Sequence, residues 1–351
     1  MNESAYRKPD KKWGHPVNWF IGAIFLSIFV YLICSGINFN DNKPVRLIVY
    51  AYSTQEEVLT QGIFPIFEQI WEAETGKNLT IEGIFGPSGT LSAQITLGAP
   101  ADVAIFSNQR HIDWLKLNKC VDKETEAILV ASTPMVILTR PGNPAGILDY
   151  ADLVQPGIQL LHADPSSSGA GEWVVLAEYG SAYLKTGDPD TAEAQLKNIW
   201  RNVCLMGSSA RTTLTLFELG AGDALITYEQ DAYFAQQRGI PMEIIHPQST
   251  ILARHFAVMV DKNVSVVERP VAEAFMAYIQ SDEGQQIFKQ YYFRPSTIQS
   301  DHLPALDQTF TEEDLGGWTN AYDILIEKTW KTEIKPGLQM EPVTAYLGRG
   351  E

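Results

Sequence analysis

A polar turn joining an apolar strand pattern to an apolar helix pattern occurs four times in this chain, and it restricts the fold more than any other feature. The fullest case is Asp164-Pro165-Ser166-Ser167-Ser168-Gly169-Ala170-Gly171-Glu172-Trp173. Residues 157–163 read as a strand before it. Beyond it, apolar residues return at helical spacing through Trp173, Val174, Leu176, Ala177 and Tyr179. Similar turns follow strand patterns at 45–52 (Ser53-Thr54), 79–85 (Gly86-Pro87-Ser88-Gly89-Thr90) and 202–206 (Gly207 through Thr213). Taken singly, each is a well-capped helix, because Ser and Thr are preferred N-caps. Repeated, they describe a site. Such turns aim backbone N–H groups and the positive end of a helix dipole at the space in front. Hydroxyls add further donors. That chemistry suits a compact anion.

Strands alternating with helices predict an α/β fold with parallel sheets. Ligands in such sheets sit beyond the carboxyl ends of the strands. A chain of 351 residues makes about two domains. The apolar run 134–139 is the expected first crossing between them, and 255–260 the return. Lobe 1 is then 45–136 with 256–351, and lobe 2 is 137–255. Two crossings make a hinged cleft the natural geometry. Within lobe 1 an amphipathic helix runs through Val58, Ile63, Phe67 and Ile70, opening on the capping box Thr54-Gln55-Glu56-Glu57. Pro65 should kink or split it. Further helices are expected at 270–279 and 318–330.

Near the start, 1–16 are polar with Arg7, Lys8, Lys11 and Lys12, and Trp19 to Ile33 carries no charge. With its flanks, 17–37 is about 20 residues, enough to cross a bilayer. Basic residues before it predict a cytoplasmic N-terminus, a transmembrane anchor at 17–37 and a linker at 38–44, with the bulk outside. A cleaved signal ending near Cys34-Ser35-Gly36 is one alternative. A lipid on Cys34 is another, although Tyr31-Leu32-Ile33 lacks the small residue expected before a lipidated cysteine.

The formal net charge of −16 argues against nucleic acid, since no basic stripe faces the phosphates. It leaves room for a small anion, which needs only a local donor cluster. Three cysteines are too few for a disulfide scaffold. Cys120 and Cys204 are either bridged or two separate thiols. The six histidines show no metal spacing, so neither a metal nor a cofactor is expected. Thr90 stands where a Gly-x-Ser-x-Gly elbow needs glycine, and no acid, base and nucleophile set is legible, so the chain is read as a non-enzyme.

Several stretches in order resemble the substrate-binding proteins of sulfate and thiosulfate ABC importers. Gly86-Pro87-Ser88-Gly89, followed by Ala101-Asp102-Val103, is similar to that family's Gly-Gly-Ser-Gly and Ala-Asp-Val segments. The Asp164–Trp173 stretch resembles its Pro-x-x-Ser-Gly-Gly-Ala-x-Trp motif. Ala210-Arg211-Thr212-Thr213 and the segment from Gly222 to Glu229 resemble Ala-Arg-x-x-Thr-Thr and Gly-Asp-Val-Leu-Ile-x-Trp-Glu. Molybdate-binding proteins share parts of the first half. The resemblance implies a two-lobed type 2 periplasmic-binding-protein fold. It also implies an oxyanion held by neutral donors and an ABC permease as partner. Carried over by position, the ligand residues would be Ser53, Ser88, Ser168, Gly169, Ala170, Thr212 and Tyr228, with Thr54 and Arg211 as further candidates.

Departures accompany the resemblance. Tyr52-Ser53-Thr54 lacks the family's Asp-Pro-Thr, Ala170 replaces a glycine, and Tyr228 replaces a tryptophan. Arg211 can face the anion or form an ion pair beside it. Asp164 and Glu229 can act as acid and base or bond loop amides. The expected function is a membrane-tethered receptor for a sulfate-like or thiosulfate-like oxyanion. A donor-only cradle would favour sulfate over hydrogen phosphate, whose proton needs an acceptor. The alternative is an accessory or assembly subunit of a membrane complex reusing the same fold.

Overall fold

The computed structural model describes residues 44–340. The expected cytoplasmic segment, the anchor at 17–37 and nearly all of the linker lie outside the described residues. No described helix is long and apolar enough to cross a membrane.

Among the described residues, eleven strands make up the sheet system: β1 Val45–Tyr52, β2 Leu79–Gly86, β3 Val103–Phe106, β4 Ile128–Thr139, β5 Leu160–Ala163, β6 Val203–Gly207, β7 Ala224–Tyr228, β8 Glu243–Ile245, β9 Ser249–Met259, β10 Arg294–Pro295 and β11 Gln308–Phe310. Their order is β2-β1-β3-β9-β4-β7-β5-β6, with the short β8, β10 and β11 pairing at the side. β2, β1 and β3 are parallel to one another, as are β6, β5 and β7. The expected parallel sheets thus appear in each half, but the two central strands do not follow them. β4 and β9 run antiparallel to each other and to their outer neighbours. The reason is topological: one strand carries the chain out of the first half and the other carries it back. β4 pairs with β9 through Pro134 and with β7 from Met135. The partner change falls at a residue with no N–H to give to a ladder.

β3, β5 and β7 are buried throughout because helices cover both faces of the sheet. Leu47, Val49, Val103 and Ile105 are fully buried in the first half, as are Leu138, Leu161 and Leu225 in the second. Each such side chain contributes about 1.5–3 kcal/mol of burial. The long helix of the first half is continuous but changes pitch. Val58–Ile63 winds as a wide π turn and Phe64–Thr75 as an α-helix with Pro65 in its first turn. Proline cannot supply the α-helical bond, so the wide turn precedes it. The expected capping box is not formed. Thr54 is buried, and Glu57 reaches outward to Arg211 instead of back to the turn.

The C-terminal tail departs from its assignment to lobe 1 alone. β11 pairs with Ser249–Ile251, and Trp330 in the helix Tyr322–Ile334 meets Trp200 at 5.6 Å. Tyr322 meanwhile stacks edge-on against Trp114 of the first half at 5.5 Å. The tail therefore touches both halves. Cys120 is a free, buried thiol, so no bridge joins it to Cys204.

Candidate functional site

The four turns anticipated from sequence stand at the ends of β1, β2, β5 and β6, and each opens a helical segment. Two more turns end β3 and β7, at Ser107 and Tyr228. Together they enclose a cavity of about 10 Å³, the room one water needs. Its lining is Tyr52, Ser53, Pro87, Ser88, Ser107, Ser168, Gly169, Ala170, Ala210 and Tyr228. A space this small holds neither a sugar nor a peptide, and any solute larger than one water enters only if the surrounding turns part. Two larger grooves of about 390 and 300 Å³ lie elsewhere. Their walls, with Lys185 and Gln195 in one and Lys197 and Glu333 in the other, present no converging buried donors among the described residues. The small cavity is the candidate.

Ser88 begins the helix Ser88–Thr96 and is 2% exposed. Its Oγ accepts the Ser107 N–H at 3.2 Å and lies 2.9 Å from His111 Nδ1. Gly89 and Thr90 do not offer their amides to the cavity. Both donate across the cleft to the Ser167 carbonyl, at 3.0 and 3.3 Å. Ser168 caps the helix Gly169–Thr186 by position, yet its side chain makes no capping bond. The hydroxyl is not consumed by the helix it precedes. The amides of Gly169 and Ala170 are among the first-turn groups with no intrahelical acceptor. Gly169 is required by close approach: a Cβ there would sit 1.8 Å from Ser107 Oγ.

Ser107 Oγ and Tyr228 Oη are both buried without a hydrogen-bond partner. A buried hydroxyl left unpaired costs about 1–3 kcal/mol. Two facing one cavity mark a place for a ligand with acceptors. Burial pushes the Tyr228 phenol well above its usual range, and hydrogen bonding toward the Ser107 hydroxyl offsets part of that rise, so the two hydroxyls have no partner beyond each other. The phenol therefore stays a donor. Behind it, His255 donates through Nδ1 to the Ser107 carbonyl, the only acceptor in that contact (3.2 Å), and stacks on Tyr52 at 4.8 Å. Burial lowers His255 to about 3, so it stays neutral. Trp173 Nε1–H fixes the same carbonyl at 2.8 Å.

The remaining candidates fall outside the cavity. Thr212 is exposed, and its hydroxyl lies 3.0 Å from Ser209 Oγ. Ala210, at the start of the same helix, lines the cavity in its place. Thr54 faces a neighbouring space and accepts from Gln230 Nε2 at 3.4 Å. Arg211 forms a two-pronged ion pair with Glu57 from the first half and reaches the Ser53 carbonyl at 3.4 Å. It is a clasp across the mouth. Close behind it, burial pushes Asp231 up to about 7, an effect that the Arg211 charge moderates. Asp164 accepts the Ser166 N–H at 2.8 Å, and Glu229 is held by Arg294 and His246. Neither carboxylate enters the cavity.

A cavity closed between two half-sheets, with donors at helix starts, can be set against known proteins. The family described as bacterial extracellular solute-binding protein matches residues 47–294. The chain belongs to this family. Among its relatives, the sulfate-binding protein of Escherichia coli (strain K12) is 32% identical over 322 residues, covering 86% of this chain and 94% of that protein. The thiosulfate-binding protein of Pseudomonas aeruginosa is 31% identical over 269 residues, covering 72% and 81%. A solved structure, the sulfate-binding protein SubI from Mycobacterium tuberculosis H37Rv, superposes with a TM-score of 0.73 at 26% identity, covering 80% of this chain and 98% of SubI. Within the family fold, the periplasmic molybdate-binding protein of Azotobacter vinelandii is more distant, with a TM-score of 0.53 at 18% identity.

Proposed function

We propose that this chain is an extracytoplasmic receptor that captures a tetrahedral oxyanion, sulfate-like or thiosulfate-like, and hands it to an ABC-type permease. The observation that carries this reading is the pair of buried donors, Ser107 Oγ and Tyr228 Oη, which have no partner beyond each other and face a small cavity at the start of the helix Gly169–Thr186. Relatives named for sulfate and thiosulfate support the choice of anion class. The ligand set we propose is Ser53, Ser88, Ser107, Ser168 and Tyr228 with the amides of Gly169, Ala170 and Ala210. No covalent step is required. The anchor at 17–37 would tether the receptor with its bulk outside the cytoplasm, and 45–136 with 256–300 would close against 137–255. Titration calorimetry of the full chain with sulfate, thiosulfate, molybdate and phosphate tests the proposal. One-to-one binding of sulfate or thiosulfate is expected; heat from none of the four would overturn it.

A further inference from the structure

Ser88 has one hydroxyl proton and two lone pairs to distribute. One lone pair takes the Ser107 N–H. The contact with His111 Nδ1 at 2.9 Å uses either the proton or the second lone pair. With Nδ1 bare, Ser88 gives its proton to the imidazole and shows only oxygen to the cavity. With Nδ1 protonated, Ser88 accepts from it and its own proton is free for a ligand.

The far side of the ring decides between these states. His111 Nε2 is buried without a hydrogen-bond partner at ordinary distance, and it faces Glu172 Oε1 at 3.5 Å. Glu172 is 2% exposed, and its other oxygen accepts from Asn108 Nδ2 at 2.6 Å. A bare Nε2 turned toward a carboxylate would be repelled, so Nε2 keeps its proton. A proton on Nδ1 as well then means an imidazolium. The other charged groups around the ring are few. Arg110 and Asp113 share its helix, and Arg110 lies over Trp114 and Tyr322. From the tail helix come Tyr322, kept neutral by a burial-raised pKa, with Asp323 and Glu327 beyond it. Glu172 is the nearest, and it belongs to the opposite half of the cleft.

We propose that His111 and Glu172 set the protonation rule of the site: an anion with acceptors only, such as sulfate, binds together with one proton that settles on His111. An anion that carries its own proton, such as hydrogen phosphate, gives that proton to Ser88 and leaves His111 neutral. The proposal rests on the oxyanion reading above. It also turns the fixed sulfate preference expected from a donor-only cradle into one that depends on pH. His255, held neutral behind Ser107, is not the group that takes the proton.

The test is sulfate calorimetry on the full chain between about pH 5.5 and 8.5, in pairs of buffers with different ionisation enthalpies. Wherever His111 is neutral before sulfate arrives, the buffer dependence should report uptake of about one proton per sulfate, with affinity falling about tenfold per pH unit. Both effects should vanish wherever His111 already carries the proton. His111→Gln, whose amide can donate to Ser88 without titrating, should bind sulfate with no proton uptake at any pH. Glu172→Gln should do the same by permitting a neutral Nδ1–H tautomer. Sulfate bound by the native chain with neither buffer nor pH dependence would overturn the inference while leaving the receptor reading intact. No sulfate heat at any pH would overturn this inference, and the receptor reading falls with it only if thiosulfate, molybdate and phosphate also give none.

Discussion

Ser107 and Thr212 both stand where a strand gives way to a helix, yet they have opposite surroundings. Ser107 is buried and its hydroxyl has no partner, whereas Thr212 is exposed and its hydroxyl is close to Ser209 Oγ. The same contrast separates the two regions they represent. The cavity wall keeps donors buried and unpaired, at a cost the fold bears. The rim pairs Arg211 with Glu57 and Ser209 with Thr212, although the Arg211 Nε stays buried without a partner. A binding group is therefore marked by an unpaired hydroxyl that also faces the cavity, and the clasp by its ion pair across the two halves. A strand-to-helix turn rich in Ser or Thr is common to both and separates neither.

The comparison breaks most sharply at Gly169. Alanine there would place a methyl against Ser107 Oγ, and overpacking of this kind costs about 1–3 kcal/mol. Gly169→Ala should weaken sulfate binding by up to about a hundredfold, and the ligand-free melting temperature should fall as well, because the clash exists without ligand. A variant that binds as well as the native chain would show that the cavity is not the site.

Next in size is the direct contrast between wall and rim. Ser107→Ala removes a buried donor and should cost about ten- to a hundredfold in sulfate affinity. Thr212→Val should stay within about threefold, because its hydroxyl is exposed and internally bonded. Equal losses in the two variants, measured by the same calorimetry, would erase the distinction. The smallest effect belongs to the clasp. Glu57 and Arg211 side chains are 17% and 25% exposed, and such partly screened pairs contribute about 1 kcal/mol or less. Glu57→Gln should weaken binding by roughly two- to fivefold, and the difference should shrink in high salt.

Much of this arrangement was legible in the order of residues, for physical reasons that also explain the gaps. Ser88 and Ser168, which the structure places on the cavity wall, follow an apolar strand and precede a helix, a pattern carried by local periodicity, whereas Tyr228 comes from the family resemblance. Ser107 obeys the same pattern. It follows Val103–Phe106 and is followed by Asn108, which caps the helix Gln109–Leu117. The Ser-Asn pair was the available signal, hidden by the shortness of the strand. Ala210 has no side-chain signal because its proposed contact is through its backbone. Thr212 follows from the family resemblance, and its hydroxyl is visible in sequence where the Ala210 amide is not. The crossing strands begin earlier than expected, since Ser132 and Thr133 in β4 and Ser249 and Arg254 in β9 interrupt their apolar runs. The meeting of Ser107 with Gly169, or of His111 with Glu172, joins segments about 60 residues apart and has no local trace.

The central claim is that the small cavity, and no other part of the surface, holds the anion. Selenate has the shape and charge of sulfate and scatters X-rays anomalously, so a crystal of the selenate-bound chain locates the ligand by one strong peak. The account predicts that peak inside the cavity, with anion oxygens about 3 Å or less from Ser107 Oγ, Ser168 Oγ and Tyr228 Oη. A peak in either of the larger grooves, with the cavity empty, would contradict it.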